Sequence, residues 1–112
     1  MKDIEHQEQV KFVTWLELNH PEHKVFAIPN GGKRNKIAAM KLKQEGVRSG
    51  VPDLFIPSLK LFIEMKKPKG GRVSPAQKDW LSYLNGCGYY AIVANGFEEA
   101  KGIFIKVFGE KQ

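Results

Sequence analysis

Residues 50–66 read GVPDLFIPSLKLFIEMK, and this stretch decides the fold. Residues 51–56 form a short apolar run typical of a buried strand, and a Pro-Ser pair separates it from a second apolar run, 59–66. We therefore expect a β-hairpin. Because side chains alternate between the two faces of a strand, Glu64 and Lys66 should point the same way.

Helical and strand-like patterns alternate on both sides of the hairpin. They predict, in chain order, helix 4–18, strand 24–28, helix 36–44, strands 51–56 and 59–66, helix 75–86, strand 89–94 and helix 97–108. The last helix is the weakest of these predictions, because it contains Gly102 and several β-prone residues. This order predicts a single α/β domain, residues 1–112, with helices flanking one central mixed sheet of about four strands.

The first helix and the single cysteine have specific signals in the sequence. The first helix is indicated by apolar residues that recur at helical spacing, namely Ile4, Val10, Val13 and Leu16, with Trp15 beside them. Cys87 is the only cysteine, so it cannot form an intrachain disulfide, and the chain lacks the Cys/His spacing of a zinc site. We expect Cys87 to be a small buried residue rather than a redox group.

The chain carries an excess of positive charge. Eighteen Lys and Arg residues against twelve Asp and Glu residues give a formal net charge of +6, which favours a polyanionic partner. Basic residues cluster on both sides of the hairpin, and the candidates for binding nucleic acid are Lys33, Arg34, Lys36, Lys67, Lys69 and Arg72. One such cluster alone is typical of a solvated surface. Two clusters around one acidic motif instead favour a nucleic-acid interface.

The sequence offers no sign of a membrane protein. No uncharged apolar run is long enough to cross a bilayer, and the first residues turn polar at once, unlike a signal peptide. We therefore expect a soluble protein of the cytoplasm.

Asp53, Glu64 and Lys66 are the residues that suggest chemistry. Asp53 and Glu64 lie on the two strands of the predicted hairpin, where cross-strand neighbours stand about 5 Å apart and two carboxylates can share one Mg²⁺. Lys66 would add an ammonium group suited to orienting a water molecule or countering developing charge. The alternative is that Glu64 and Lys66 are surface residues on a solvated edge strand and Asp53 is a turn residue.

The same residues resemble a known motif. Pro52-Asp53 followed by Glu64-Met65-Lys66 is similar to the core of the PD-(D/E)xK nuclease superfamily, whose fold is restriction-endonuclease-like. Further pieces in the same order resemble the VRR-NUC (virus-type replication-repair nuclease) domain, and these are Glu5-His6 with Gln9, residues 28–32, residues 50–54 and residues 74–77. The resemblance extends from Glu5 to about Ala94.

The resemblance implies a metal site. Asp53, Glu64 and the backbone carbonyl of Met65 would bind Mg²⁺ or Mn²⁺, and Lys66 would orient the attacking water. Glu5 on the first helix matches the family's N-terminal acidic residue and would complete the site directly or through water.

Two further residues have competing interpretations. Glu8, one turn after Glu5, is the second choice for completing the metal site, and a solvated helix face explains it equally well. Gln77 matches a family position next to the active site. It would also be the third helical residue of a capping box whose N-cap is Ser74.

The sequence thus predicts a divalent-metal-dependent DNA endonuclease of the stand-alone type found in phages and prophages. Its small size implies a homodimer, and two symmetric sites would suit branched DNA such as four-way (Holliday) junctions. Two alternatives stay open. One is a non-catalytic nucleic-acid-binding module, and the other is a restriction-like endonuclease that recognises a sequence.

Overall fold

A computed structural model describes residues 3–29 and 35–109. The helices and strands in these ranges are, in chain order, α1 (Ile4–Asn19), β1 (Phe26–Ala27), α2 (Lys36–Gln44), β2 (Leu54–Ile56), β3 (Leu61–Lys66), α3 (Pro75–Gly86), β4 (Tyr90–Asn95) and α4 (Phe97–Phe108). A short 3₁₀ turn, Pro57–Leu59, joins β2 to β3. The predicted α/β class is confirmed.

The four strands form one mixed sheet in the order β1-β2-β3-β4. The pairs β1/β2 and β2/β3 are antiparallel, so the predicted hairpin is confirmed, whereas β3 and β4 run parallel. Parallel neighbours need a crossover connection, and α3 provides it. As a result β3, which carries Glu64 and Lys66, is an inner strand with partners on both sides.

The hydrophobic core lies on one face of this sheet. Alternate residues of β2 and β3 project into it, and each of them is at most 1% exposed: Leu54, Ile56, Leu61, Ile63 and Met65. Helices α1 and α4 cover this face with Phe12, Leu16, Ala100 and Phe104, which are buried to the same degree. Full burial of one such large apolar side chain contributes about 1.5–3 kcal/mol. The residues between them in β3 must therefore face the other side, where α3 lies.

Several predicted strand bounds were too generous. β1 has two residues rather than the five of 24–28, and β2 begins at Leu54 rather than at residue 51, after a Pro that lacks the N–H a sheet requires. β3 begins at Leu61 rather than at residue 59, because the 3₁₀ turn precedes it and Lys60 adopts a left-handed conformation with φ of 52°. The predicted bounds of α2 and α4 are confirmed, and α4 accommodates Gly102.

One burial prediction was wrong. Cys87, expected to be a small buried residue, is exposed. It directly follows the last turn of α3, where its backbone N–H bonds to the carbonyls of that turn while its side chain remains at the surface.

Candidate active site

The hairpin brings Asp53 and Glu64 together. Leu54 pairs with Ile63 across the two strands, so Asp53 and Glu64 are the next opposing positions. Asp53 Oδ2 accepts a hydrogen bond from the backbone N–H of Met65 at 2.8 Å, which fixes the Asp53 carboxylate against β3. The cross-strand proximity that the sequence predicted for the two carboxylates is present.

Glu64 is a buried carboxyl group, with only 2% of its surface exposed. Burial raises the pKa of Glu64 to about 8, and the charge of Asp53 and a hydrogen bond with it act in the same direction. Lys66 opposes these effects in part. A further cation beside the two carboxylates would oppose this rise in the pKa of Glu64, because it favours the ionised form.

Lys66 points to the same side as Glu64, as strand alternation predicted. Its Nζ lies 3.7 Å from Glu64 Oε2, and its side chain is 9% exposed. A solvated edge strand is therefore the wrong explanation for these two residues, since both are buried on an inner strand. A buried lysine needs hydrogen-bond acceptors, and the nearest is Gln77 Oε1 at 2.9 Å.

Gln77 connects three parts of the site. Its Oε1 also accepts from the backbone N–H of Ser74 at 2.8 Å, while its Nε2 donates to Glu64 Oε2 at 3.2 Å. Because two donors meet the amide oxygen and a carboxylate meets the nitrogen, these contacts determine the orientation of the amide. Ser74 Oγ accepts from the backbone N–H of Gln77, which completes the predicted capping box. The two interpretations of Gln77 are thus compatible, because one side chain caps α3 and also contacts Glu64 and Lys66.

Two glycines allow the loops to approach this closely, and the sequence alone did not identify them as site residues. Gly50 has φ of +93°, and a Cβ there would lie 2.8 Å from the backbone carbonyl of Ala76 in the first turn of α3. A Cβ at Gly71 would lie 2.9 Å from Cβ of Lys66. Glycine at these two positions therefore lets the loop before Asp53 contact α3 and lets the loop after Lys66 contact β3.

Helix α1 contributes Glu5 rather than Glu8. Burial raises the pKa of Glu5, and the charges of both Lys66 and Asp53 act on it, so its carboxylate belongs to the same electrostatic cluster. Glu8 instead accepts a hydrogen bond from the backbone N–H of Phe97 at 2.9 Å and pairs with Lys11 at 3.0 Å. Those two contacts hold the pKa of Glu8 below its usual range. The second choice for the site thus caps α4, whose own N-cap is a glycine with no side-chain cap.

The donor set suits a hard divalent cation, but only two carboxylates are paired directly. Among residues 3–29 and 35–109, no three His, Cys, Asp or Glu side chains stand close enough to form a ready metal site. Asp53 and Glu64 present the carboxylate oxygens that Mg²⁺ and Mn²⁺ prefer, and their mutual repulsion is what a cation would relieve. The charge of Glu5 also acts on Glu64, more weakly than the charge of Asp53 does.

The predicted DNA-binding residues that the structure describes are all exposed. Lys67, Lys69 and Arg72 are exposed in the loop that follows β3 directly, and Lys36 is exposed at the start of α2. Lys33 and Arg34 lie outside the residues that the structure describes, as do residues 30–32. No helix in the described part of the chain is both long and apolar enough to span a bilayer.

The fold and the arrangement of Asp53, Glu64 and Lys66 define a nuclease-like α/β domain. The family model of the VRR-NUC domain matches residues 2–98, and the chain therefore belongs to this family of nucleases. A solved structure described as a VRR_NUC domain protein is 25% identical, with a TM-score of 0.80 over 100% of this chain and 98% of its own. A comparison with curated proteins gave no match. The resemblance stated from the sequence is confirmed.

Proposed function

We propose that this protein is a divalent-metal-dependent DNA endonuclease whose active site contains Asp53, Glu64, Lys66, Glu5 and Gln77. One observation carries the proposal, namely two paired carboxylates beside a buried lysine on the inner strand of the sheet. An ion pair that serves only stability costs little when it lies on the surface. Burying the Lys66–Glu64 pair carries a desolvation cost that several hydrogen bonds must offset. Such perturbed carboxylates are typical of functional sites.

The proposed metal ligands are Asp53, Glu64 and the backbone carbonyl of Met65, with Glu5 acting directly or through water. Bound Mg²⁺ or Mn²⁺ would supply Lewis-acid stabilisation of the phosphate and of the hydroxide that attacks it. Asp53 is already oriented by the backbone N–H of Met65, so it needs little rearrangement to present its other oxygen. A cation bound by both carboxylates would favour their ionised forms and would therefore lower the raised pKa of Glu64.

Lys66 is proposed to orient the attacking water and to counter charge that develops on the phosphate. Lys66 Nζ donates one hydrogen bond to Gln77 Oε1, and the ammonium group has two further hydrogens to donate. Because the side chain is buried and held by a fixed amide, its charge is placed before substrate arrives. Gln77 is a positioning residue in this scheme, since it acts through Lys66 and Glu64.

DNA is the proposed substrate because the chain is basic and a basic loop follows the strand that carries Glu64 and Lys66. The loop of residues 67–72 follows Lys66 without interruption, so a phosphate bound there would be near the site. Lys36, and also Lys33 and Arg34 outside the described residues, are proposed to bind the same strand or its complement. A non-catalytic binding module would also be basic, but it has no need of a carboxylate pair in which Glu64 is buried beside a buried lysine.

A homodimer acting on branched DNA, such as a four-way junction, is the favoured form of this activity. One domain of 112 residues offers little surface for holding several DNA arms, and a two-fold pair of sites matches a two-fold substrate. A restriction-like enzyme that recognises a sequence would use the same chemistry. Cleavage of a labelled four-way junction compared with linear duplexes of random and defined sequence distinguishes the two.

The experiment combines calorimetric Mn²⁺ titration with single-turnover cleavage of that junction. Asp53→Asn and Glu64→Gln remove ligand charge, so both metal binding and cleavage should be lost while the fold survives. Lys66→Ala should keep metal binding and lose turnover by on the order of 10²-fold or more. Lys106→Ala, at an exposed position on helix α4, is the matched control and should cleave normally. Cleavage near the wild-type rate by Asp53→Asn would rule out the proposed site.

A further inference from the structure

A row of aromatic rings lies on the sheet face that also carries the proposed active site. Phe26 pairs with Phe55 across β1 and β2, and Phe55 pairs with Phe62 across β2 and β3. Tyr89, just before β4, contacts Phe55 and Phe62, with ring centroids 6.0 and 5.4 Å apart. We refer to Phe26, Phe55, Phe62 and Tyr89 as the aromatic row. The proposed catalytic scheme uses none of these four residues.

The two outer rings of the row are open to solvent. Phe26 is 52% exposed and Tyr89 is 37% exposed, while Phe55 and Phe62 are half-buried. The inner rings stack on each other with centroids 4.1 Å apart, and the outer rings stand steeply against them, with planes inclined by 67–82°. These contacts hold the outer rings in place before a ligand arrives, which lowers the entropic cost of binding.

A lysine flanks the row at each end. Lys24 and Lys60 are both exposed. Lys24 lies two residues before Phe26, and the carbonyl of Lys60 accepts a hydrogen bond from the backbone N–H of Tyr90, so Lys60 lies beside Tyr89. Open rings between positive charges are the combination that binds single-stranded nucleic acids, because the rings stack on bases and the charges attract phosphates.

The row is close to the proposed active site. Asp53 and Glu64 oppose each other in the hairpin. Phe55 lies two residues after Asp53, and Phe62 lies two residues before Glu64, so both rings share the face of the carboxylates. Two residues of a strand span about 7 Å, and successive nucleotides of one DNA strand rise by about 3.4 Å. A base about two nucleotides from a phosphate at the carboxylates therefore comes within reach of the row.

We propose that the aromatic row binds unpaired nucleotides of the DNA substrate, with bases stacked on Phe26 and Tyr89 and phosphates near Lys24 and Lys60. The inference rests on the proposed function, and it names the part of the substrate that this face recognises. Bases inside a duplex are stacked on their neighbours, so only an unpaired nucleotide offers a free ring face. The row therefore favours DNA with unpaired bases next to the point of cleavage over continuous duplex.

The size of the open surface favours a nucleotide over a protein as the ligand. An aromatic side chain can bury about 150–250 Å², so half of Phe26 and over a third of Tyr89 leave on the order of 200 Å² open. A stable protein interface buries about 800 Å² per partner. Stacking needs only one open ring for each base, and the row provides two.

The test is fluorescence anisotropy of a labelled oligothymidylate with the purified full chain, in EDTA so that no metal-dependent cleavage occurs. Phe26→Leu and Tyr89→Leu keep an apolar side chain but remove the aromatic ring. Each should weaken binding by on the order of 10-fold, as expected for the loss of one stacked base. Tyr90→Leu is the matched control and should bind normally, because Tyr90 is 55% exposed but packs against Phe108 of α4.

Salt dependence separates stacking from charge. The leucine variants should keep the wild-type slope of log affinity against log salt, since they remove no phosphate contact. Lys24→Gln and Lys60→Gln should each flatten that slope by about 0.7, the value for one phosphate contact on single-stranded DNA. Lys106→Gln, at an exposed position on α4, is the control for loss of one charge and should leave the slope unchanged.

An abasic oligonucleotide of the same length probes the bases directly, because it keeps the phosphates and lacks the bases. Wild-type protein should bind it at least about 10-fold less tightly than oligothymidylate. Phe26→Leu and the wild type should bind it equally, since the ring then has no base to stack on. A further loss of affinity for abasic DNA in Phe26→Leu would overturn stacking as the role of that ring.

The remaining outcomes also decide the proposal. Leucine variants with unchanged circular dichroism and wild-type affinity for oligothymidylate would overturn it, and so would a wild-type protein that does not bind this probe. Variants that bind DNA normally but dissociate to monomers in sedimentation equilibrium would assign the row to a second copy instead. A wild-type protein that binds oligothymidylate through the row but cleaves no DNA with Mg²⁺ would refute the proposed nuclease activity alone.

Discussion

Gln77 is the residue whose two roles can be separated experimentally, because Ser74 shares only one of them. Ser74 and Gln77 together form the capping box of α3, but only Gln77 contacts Lys66 and Glu64. Ser74→Ala therefore removes a cap and leaves the contacts within the site. Gln77→Ala removes the contacts within the site but keeps the bond from the backbone N–H of residue 77 to Ser74 Oγ, so the two variants separate helix capping from the role in the site.

The structure gives the expected magnitudes. Loss of the N-cap hydroxyl in Ser74→Ala should cost about 1 kcal/mol in the free energy of unfolding. Gln77→Ala leaves the buried Lys66 without its 2.9 Å acceptor and Glu64 without its 3.2 Å donor. An unsatisfied buried group costs about 1–3 kcal/mol. Since Lys66 and Glu64 still face each other at 3.7 Å, the lower part of that range applies and we expect about 2–3 kcal/mol in total.

Urea denaturation measures the stability of both variants, and single-turnover junction cleavage measures their activity. Ser74→Ala should cleave within about threefold of the wild-type rate, because its effect is confined to the end of a helix. Gln77→Ala should be slower by on the order of 10-fold or more, since a small displacement of Lys66 is enough to impair catalysis. Equal cleavage by the two variants would refute the positioning role of Gln77 and leave it a capping residue.

Three further predictions concern the surroundings of the site. Replacing Lys67, Lys69 and Arg72 by Gln should flatten the plot of log DNA affinity against log salt by about 0.9 for each lost phosphate contact, and an unchanged slope would place the DNA elsewhere. Glu8→Gln should cleave normally, because Glu8 caps α4. The stability that ionised Glu8 contributes is present above pH 4.5 and is lost as pH falls through its lowered pKa, so the variant should show a weaker acid dependence in urea titrations between about pH 5 and 3. Gly50→Ala should destabilise the protein by about 1–3 kcal/mol, because of strain at φ +93° and contact with Ala76. Gly102→Ala has open space around it in a helix and should stabilise the protein by about 0.5–1 kcal/mol. Similar unfolding midpoints for the two variants would contradict the close approach of Gly50 to Ala76.

The fold was predictable because its signals are local. Apolar runs separated by Pro57 and Ser58 indicate a hairpin, and Ser74 with Pro75 marks the start of a helix. Strand lengths were less predictable, since an extended segment counts as a strand only where a neighbour pairs with it. The two-residue β1 depends on β2 in this way, and no pattern within residues 24–28 indicates where the pairing ends.

The hairpin carboxylates were predictable for the same reason as the fold, because register follows from a short connection between two adjacent strands. The pairing of Lys66 with Gln77 spans a loop and a helix, and the family resemblance indicated only that Gln77 lies next to the active site. Burial of Cys87 was predicted from the residue type alone. The position after the last turn of α3 outweighs that preference, because a helix end at the surface exposes the residue that follows it.

The choice between Glu5 and Glu8 shows what a helical pattern leaves undecided. Three residues of a helix turn through about 300°, so the two carboxylates lie on nearly the same side of α1 and both meet the requirement for a metal ligand. The two residues differ because helix α4 requires a side-chain cap, which Glu8 provides. The N-terminus of α4 starts at Gly96, which has no side chain to cap it, and the Glu8 carboxylate fills that place at Phe97 N–H. A cap far away in sequence therefore decides which acidic residue remains available to the Asp53–Glu64 pair.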